Sequence, residues 1–264
     1  MSKGFKRVIA CGDSHCGHKV GLTPPEYFYH GKVGEVQATL WDFWVERIEK
    51  WKPFDIAIID GDLVDGKGER SGGTELYTTD RLEQAHIAYE CFKQIGAEKY
   101  RIIAGTPYHS GVNEDFEKAV VLEFQKNGHD CGDLQDHGYF EINGKNIDVK
   151  HYIAGSSVHH GRATPMLKDL DANTFWHLAD VEPKADIAIR AHVHKSLLAY
   201  QDERYGFVLP SLQGLGSKFG ARRCSGVVEF GFLVIDIPDN PRDDIRWKFE
   251  TMKGKQQRVA VEVL

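Results

Sequence analysis

Four short apolar runs, each followed closely by Asp or His, restrict most strongly what this chain can fold into. They span residues 7–11, 54–60, 100–104 and 185–191. Their length and their enrichment in Ile, Val and Ala are typical of buried strands. Apolar residues recur at helical spacing between the first three runs, over residues 36–51 and 82–92. Strand, helix, strand, helix, strand predicts βαβ units with a parallel sheet.

The sequence also predicts two helix boundaries. Asp80, followed by Glu83 three residues later, has the pattern of a helix N-terminus. A third helix is predicted from Asn113 to about Gln125, before the Asn127-Gly128 pair.

The second half of the chain has the character of antiparallel sheet. Residues 139–149 predict two strands joined by an Asn143-Gly144 turn. Further strands are predicted near residues 197–200, 205–209, 227–237 and 245–251. We therefore expect two sheets packed face to face and flanked by helices. Because no repeat or long linker divides the chain, residues 1–264 are expected to form a single domain.

Bulk composition excludes several classes of protein. The chain has 33 Lys and Arg against 39 Asp and Glu, a formal net charge of −6, which disfavours a long nucleic-acid track. No apolar stretch approaches the length of about 18 residues typical of a membrane span, and the N-terminus lacks a secretory apolar region. The five cysteines contain no CxxC pair, which argues against disulfides and thiolate zinc sites. A soluble cytoplasmic protein without membrane partners is expected.

The polar residues that follow the predicted strands have the types expected of a metal centre. They are Asp13, His15, Asp62, Asp65, His109, His151, His192 and His194. Ligands of open α/β sheets collect beyond the carboxyl ends of the strands. Side chains two apart on extended backbone share a side, so Asp13 and His15 are expected to converge on one ion, as are His192 and His194.

The residue types indicate which metals the centre would hold. Imidazole and carboxylate ligands together suit Mn, Fe, Zn, Ni or Co. Two such cations about 3.5 to 4 Å apart activate water and hold the reacting oxygens of a phosphoryl transfer. The pattern therefore predicts a metal-dependent hydrolase.

The ordered motifs resemble those of the calcineurin-like metallophosphoesterase superfamily. That family has DxH, GDxxD, GNH followed by Asp or Glu, a lone His, and GHxH, and the chain matches four of the five in order across residues 13–194. The resemblance implies a four-layer αββα sandwich of two mixed β-sheets flanked by helices. It also implies two divalent metal ions, with Mn expected first.

The resemblance assigns a role to each motif residue. Asp13, His15 and His194 would hold one metal, His151 and His192 the other, and Asp62 would bridge them. Asp65 would orient His109, the catalytic histidine. The implied activity is hydrolysis of a phosphomonoester or phosphodiester by a hydroxide bridging the metals, either as a phosphatase or as a nuclease or nucleotide phosphodiesterase. An inactive scaffold that binds a partner is the alternative of another class.

The third motif departs from the family pattern. Residues 105–109 read Gly-Thr-Pro-Tyr-His, so the Asn ligand of the second metal is missing. Thr106 could supply a hydroxyl ligand, Asn113 an amide, or a water could fill the gap.

Substrate-binding candidates are less distinctive. Arg162 could meet a phosphate near the metals, against a solvated loop charge, and Lys195, Lys218, Arg222 and Arg223 are similar candidates. Four aromatic residues near predicted loops could stack a base or sugar, although aromatic packing under a loop is the preferred interpretation; these are Tyr27, Phe28, Tyr29 and Tyr108.

Overall fold

A computed structural model describes residues 4–111, 113, 115–156, 158–215 and 228–252. The helices are α1 (Lys32–Trp51), α2 (Arg81–Phe92), α3 (Pro107–Ser110), α4 (Asp115–Lys126) and α5 (Thr164–Leu178). In this part of the chain, none of the helices combines the length and apolar composition needed to cross a membrane.

The first sheet has six strands. They are β1 (Phe5–Gly12), β2 (Ile56–Asp60), β3 (Lys99–Ile103), β4 (Asp130–Cys131), β10 (Gly231–Pro238) and β11 (Arg246–Thr251). Their order is β11-β10-β1-β2-β3-β4. The strands β1 to β4 are parallel, whereas β10 and β11 are antiparallel to their neighbours. The first and last described strands of the chain therefore share one sheet.

The second sheet has five strands. They are β5 (Gly138–Ile142), β6 (Lys145–Val149), β7 (Ile187–Arg190), β8 (Leu197–Gln201) and β9 (Arg204–Val208), in the order β5-β6-β7-β9-β8. The β5–β6 hairpin turns at Asn143 and Gly144, whose φ angles of 51° and 75° are both left-handed, as the Asn-Gly pair predicts.

Alternation along the strands builds four layers. In β1, Ile9 and Cys11 pack with Trp44 of α1 and the other helices of that face, whereas Val8 and Ala10 pack between the sheets with residues such as Ile189. A parallel sheet buried on both faces needs apolar residues at both phases of the strand, which explains the continuous apolar runs. Met166 and Leu170 of α5 cover the outer face of the second sheet. The predicted αββα sandwich is confirmed.

Helix α5 is the main element that the sequence did not predict. Its buried residues are Met166, Leu170 and Asn173, whereas Phe175 and Leu178 are 70% and 74% exposed. The apolar residues therefore do not follow the single stripe from which a helix is recognised. The predicted third helix also begins later, at Asp115 rather than Asn113.

The described cysteines are Cys11, Cys16, Cys91 and Cys131, which are buried and unbridged. Cys224 lies outside the described residues.

Candidate metal centre

The motif residues meet at the ends of strands from both sheets. Asp13 follows β1, Asp62 lies two residues beyond β2, His151 two beyond β6 and His192 two beyond β7. We call the cluster of six residues at this edge the Asp/His pocket; it comprises Asp13, His15, Asp62, His151, His192 and His194. Because parallel neighbours end at the same edge of a sheet, the order of the strands brings these distant residues together.

The backbone at the pocket is left-handed rather than extended. The φ angles are 48° at Asp13, 45° at His15, 48° at Asp62, 72° at His192 and 55° at His194. This conformation is uncommon outside glycine, although Asp and His tolerate it better than most residues. The expectation that alternation along extended backbone aims these side chains was wrong, because bends in the backbone aim them.

One ligand group contains Asp13, His15 and His194. Their ligand atoms lie within 4.8 Å of one another. The Asp13 Oδ1 atom is 3.2 Å from His194 Nε2 and 3.9 Å from His15 Nε2. The backbone N–H of Asp13 donates to Gly61 O at 2.9 Å, which ties the β1 loop to the β2 loop.

A second ligand group contains Asp62, His151 and His192. His151 donates from Nδ1 to the carbonyl of Asp60 at 2.7 Å, so in the neutral ring the lone pair is on Nε2. That Nε2 atom lies 3.1 Å from Asp62 Oδ2 and 3.8 Å from Asp13 Oδ1. His192 and His194 thus fall in separate groups, contrary to the expectation from their alternation.

Asp65 contacts two histidines, His15 in the pocket and His109 beside it. Its Oδ1 atom lies 3.0 Å from His15 Nδ1 and 3.1 Å from His109 Nδ1. The two imidazole rings are 4.5 Å apart, edge to face. Asp65 therefore orients His109 and also leaves the Nε2 atom of His15 directed at the pocket.

Three buried ligand atoms have no hydrogen-bond partner among the described residues. They are Asp13 Oδ1, His15 Nε2 and His151 Nε2. Because buried polar atoms are rarely left unpaired, these atoms indicate a missing partner.

The charges of the pocket also indicate that a partner of these atoms is missing. Burial would raise the pKa of Asp62, but His151, His109 and His15 lower it to about 2. Burial lowers the pKa of His151, yet Asp13 and Asp62 outweigh burial and raise it well above its usual value. The buried carboxylates thus attract positive charge, and nitrogen and oxygen atoms in this arrangement fit a divalent cation.

His109 has a different charge environment from His15. Burial lowers the pKa of His109, but Asp65 and Asp62 outweigh it and raise the pKa. The pKa of His15 is lowered by burial and by His109. The pKa values of these two neighbouring imidazoles are therefore shifted in opposite directions.

Thr106 reaches the pocket through Asp62. Its backbone N–H donates to Asp62 Oδ1 at 2.6 Å, and its hydroxyl lies 3.1 and 3.2 Å from the two carboxylate oxygens. Asn113 is exposed, and its carbonyl accepts from Lys118. Of the two residues considered as replacements for the missing Asn, Thr106 is the one in contact with the pocket.

Glycine is required where the loops approach most closely. A Cβ atom at Gly61 would lie 2.3 Å from His151 Nδ1, and one at Gly105 would lie 2.1 Å from the Asp62 backbone nitrogen. The last motif was wrongly counted as a full match, because Ala191 occupies the position of its glycine and only its two histidines agree with the family pattern.

Glu117 was missed by the sequence analysis. This fully buried carboxylate accepts from Leu63 N at 3.0 Å and from Gly105 N at 2.7 Å, so it joins the β2 and β3 loops beneath Asp62. Burial, and then Asp62, raise its pKa to about 7. The available signal was its place on the apolar face of α4, with Val120, Val121 and Phe124 three, four and seven residues later.

The described basic residues that were predicted to bind substrate do not contact the pocket. Arg162 is exposed beside a short 3₁₀ helix, and no contact recorded for the described residues links it or Lys195 to the ligands. Lys218, Arg222 and Arg223 lie outside the described residues.

Two of the four candidate aromatics pack as the preferred interpretation expects. Tyr27 and Tyr29 both contact Tyr77 edge to face, at 5.5 and 5.6 Å between ring centroids. The Tyr108 ring lies 4.7 Å from that of His109. Phe28 is partly buried.

No protein-family model matches the sequence. No curated protein matches it either. Among solved structures, the chain is similar to Vacuolar Protein Sorting 29 from Cryptosporidium parvum, with 12% identity, 94% of this chain and 99% of that chain covered, and a TM-score of 0.49. It is similar to wild-type Vps29 complexed with Zn²⁺ from Entamoeba histolytica, with 11% identity, 93% and 98% coverage, and a TM-score of 0.44.

A novel archaeal phosphodiesterase is a further similar structure, with 9% identity, 92% of this chain and 99% of that chain covered, and a TM-score of 0.48. Similarities at this level carry no argument about family or activity. The two mixed sheets flanked by helices agree with the αββα sandwich that the motif resemblance implies.

Proposed function

We propose that this chain is a metal-dependent phosphoesterase that hydrolyses a phosphomonoester or phosphodiester at the Asp/His pocket. The observation that carries the proposal is the set of buried, unpaired ligand atoms, Asp13 Oδ1, His15 Nε2 and His151 Nε2. Atoms of this kind at the meeting point of several loops suit cation binding and have no use in an apolar core.

The proposed cofactor is a pair of divalent cations. Asp13, His15 and His194 would hold one, His151 and His192 the other, and Asp62 both. Bound cations of this kind lower the pKa of a coordinated water and neutralise charge on phosphate oxygens. Mn is the first metal to test, with Fe, Zn, Ni and Co as alternatives.

His109 is the proposed general acid. Asp65 holds its Nδ1 atom at 3.1 Å, which fixes the ring and leaves Nε2 free to donate a proton to the departing oxygen. A positioned acid of this kind contributes about 10² to 10⁴-fold in rate.

Thr106 and Glu117 position the ligands in this proposal. Thr106 donates to Asp62 from its N–H and its hydroxyl, which orients the carboxylate. Glu117 holds the loop of Gly105 against the loop of Leu63. Partners that orient metal ligands typically affect metal affinity or activity by about 10 to 100-fold.

The test compares p-nitrophenyl phosphate with bis-p-nitrophenyl phosphate as substrates. Protein stripped by a chelator should be inactive and should recover activity with Mn²⁺, and metal content should be measured on the same samples. Asp62→Asn and His192→Ala should each reduce kcat/KM by at least about 100-fold. His177→Ala is the matched control, because His177 is exposed on α5, a helix outside the pocket.

Each outcome separates the candidate functions. Preference for the monoester indicates a phosphatase, and preference for the diester indicates a phosphodiesterase or nuclease. Full activity after exhaustive chelation would contradict the proposal. Metal binding without hydrolysis of either ester would favour the inactive scaffold.

A further inference from the structure

A cleft of about 510 Å³ lies beside the Asp/His pocket. Thr106 and Pro107 line one wall, and Lys150 and Tyr152 line the other. His151 also lines the cleft, and Thr106 contacts Asp62, so the cleft adjoins the proposed metal centre. Its volume lies within the range of about 300 to 1,000 Å³ that is usual for small-molecule sites.

The first wall is built by the part of the chain that departs from the family pattern. Pro107 begins α3, and Ser110 and Gly111 at the end of that helix also line the cleft. The Ser110 hydroxyl donates to Thr106 O at 2.9 Å, which closes the turn on itself. The same segment therefore contacts Asp62 at one end and forms the cleft wall along its length.

Tyr152 supplies an exposed aromatic surface at the other wall. It follows the pocket residue His151 directly and is 64% exposed. Its ring centroid lies 4.9 Å from that of His192, so its position is set by a second pocket residue. An exposed aromatic ring beside a phosphate-binding centre is the kind of surface on which a nucleobase stacks, because every base has a π-face.

Lys150 brings positive charge to the same wall. Its backbone N–H donates to Ile189 O at 3.2 Å, which anchors it to β7. Lys150 is half-buried, whereas Asp136, the acidic residue of the lining, is exposed. A partly buried ammonium group favours an anionic ligand such as a phosphate over a neutral one.

We infer that the cleft binds the nucleoside of a nucleotide ester, with the base on Tyr152 and the phosphate between Lys150 and the Asp/His pocket. This inference depends on the proposed function and names its substrate class. The limited volume suits a single nucleoside, and the net charge of −6 disfavours a long polyanionic strand.

The kinetic test uses two diesters with the same leaving group. Thymidine 5′-(p-nitrophenyl phosphate) carries a nucleoside, and methyl p-nitrophenyl phosphate does not. Wild-type protein should favour the thymidine ester by about tenfold or more in kcat/KM, which is a typical effect of base stacking. Tyr152→Ala should remove most of this preference, measured as the ratio of kcat/KM for the two esters, whereas Tyr152→Phe should retain it.

The matched control is Tyr200→Ala. Tyr200 is 55% exposed on β8 and does not line the cleft. Equal kcat/KM for the two esters in wild-type protein would overturn the inference. A Tyr152→Ala variant that behaves like Tyr200→Ala would overturn it as well.

A binding measurement separates this inference from the proposed function. Chelated protein should be titrated with thymidine and with thymidine 5′-monophosphate and followed by NMR. Tyr152→Ala should weaken both ligands about fivefold or more, and Lys150→Gln should weaken only the monophosphate. Absence of hydrolysis of p-nitrophenyl phosphate and of both diesters contradicts the proposed function, whereas absence of thymidine binding contradicts the cleft assignment.

Discussion

At the scale of single residues, the pocket combines unusual backbone with unpaired ligand atoms. Asp13 and Asp62 are left-handed and buried, and the backbone N–H of His192 donates to Asp13 Oδ2 at 2.8 Å. Strained backbone of this kind costs on the order of 1 to 3 kcal/mol per residue and persists only where the surroundings enforce it. Here the enforcing contacts are the hydrogen bonds between the loops.

Glu117 gives the most direct test of those contacts. Glu117→Gln should lower the free energy of unfolding by about 1 to 3 kcal/mol, because an amide group replaces one of two oxygens that accept backbone N–H groups. Urea unfolding from pH 5 to 8 is the measurement. Because burial raises the folded pKa of Glu117 from 4.5 to about 7, ionisation costs wild-type stability over this range, so the loss caused by Glu117→Gln should be larger near pH 5 than above pH 7.

Glu123→Gln on the same helix is the control for Glu117. Glu123 is only partly buried and contacts His86, so its substitution should change stability by less than about 0.5 kcal/mol. Equal stability of Glu117→Gln and wild type would refute the role given to Glu117.

At the scale of elements, the clearest local signals are caps and turns. Asp80 Oδ1 accepts from Glu83 N at 2.9 Å, so the N-terminus of α2 is where the sequence predicts it. The capping pattern is local, and the structure needs no distant residue to satisfy it.

Asp80→Ala should lower the free energy of unfolding by about 1 kcal/mol, because it leaves a helix N–H without its acceptor. Asp80→Asn keeps an acceptor oxygen and should change stability much less. Chemical unfolding of both variants checks this, and equal losses would argue against a capping role.

Helices α4 and α5 show the limit of reading elements from sequence. The sequence predicts α4 before the Asn127-Gly128 pair, and the structure confirms it apart from its first residues. By contrast, α5 buries Met166 and Leu170 but leaves Phe175 and Leu178 exposed, so its amphipathic period is broken. Only its packing on the second sheet shows which of its apolar residues belong to the core.

At the scale of the whole molecule, the outer layer contains a buried ion pair. Arg190 donates from its Nη2 atom to Asp148 Oδ2 at 2.7 Å, and His137 Nε2 lies 2.7 Å from Asp148 Oδ1. Burial would raise the pKa of Asp148, but His137 and Arg190 outweigh it and lower the pKa.

Asp148→Asn should therefore lower the free energy of unfolding by about 1 to 3 kcal/mol at neutral pH, because it removes one of the two carboxylates that pair with the buried Arg190 and leaves only Asp169. A carboxylate with a lowered folded pKa stabilises the protein above its unfolded pKa of about 4, and this contribution is lost as the pH falls through the folded pKa. The difference between wild type and variant should be constant above about pH 5 and shrink below about pH 4.

Asp171→Asn, at an exposed position on α5, is the control for this series. Urea unfolding from pH 2 to 7 is the measurement. A difference that grows toward low pH would contradict the assignment.

Metal binding should also stabilise the whole molecule. If the folded state alone binds Mn²⁺, metal at about 100 times its Kd adds about 2.7 kcal/mol to the free energy of unfolding. Wild-type Tm should rise by several degrees, and Asp62→Asn should lose most of the rise because Asp62 lies within ligand distance of His151 and His192. Calorimetry with and without Mn²⁺ checks this, and an equal rise in both proteins would place the metal elsewhere.

The sequence by itself determined the residue types, their order and the strands that precede them. Apolar runs that lead into Gly12-Asp13 and Gly61-Asp62 predicted strands with polar residues at their ends, because burial on both faces and tight turns are local requirements. The Asn143-Gly144 hairpin followed from local turn chemistry in the same way.

Only the tertiary structure decided how those residues meet. The packing of two sheets brings His151 between Asp13 and Asp62 and places Glu117 against the loops of Leu63 and Gly105. It also sets Tyr152 against His192 at the edge of the cleft. The physical reason is that these contacts depend on strand order and on left-handed backbone that neighbouring loops enforce. Neither feature can be predicted from a local sequence pattern.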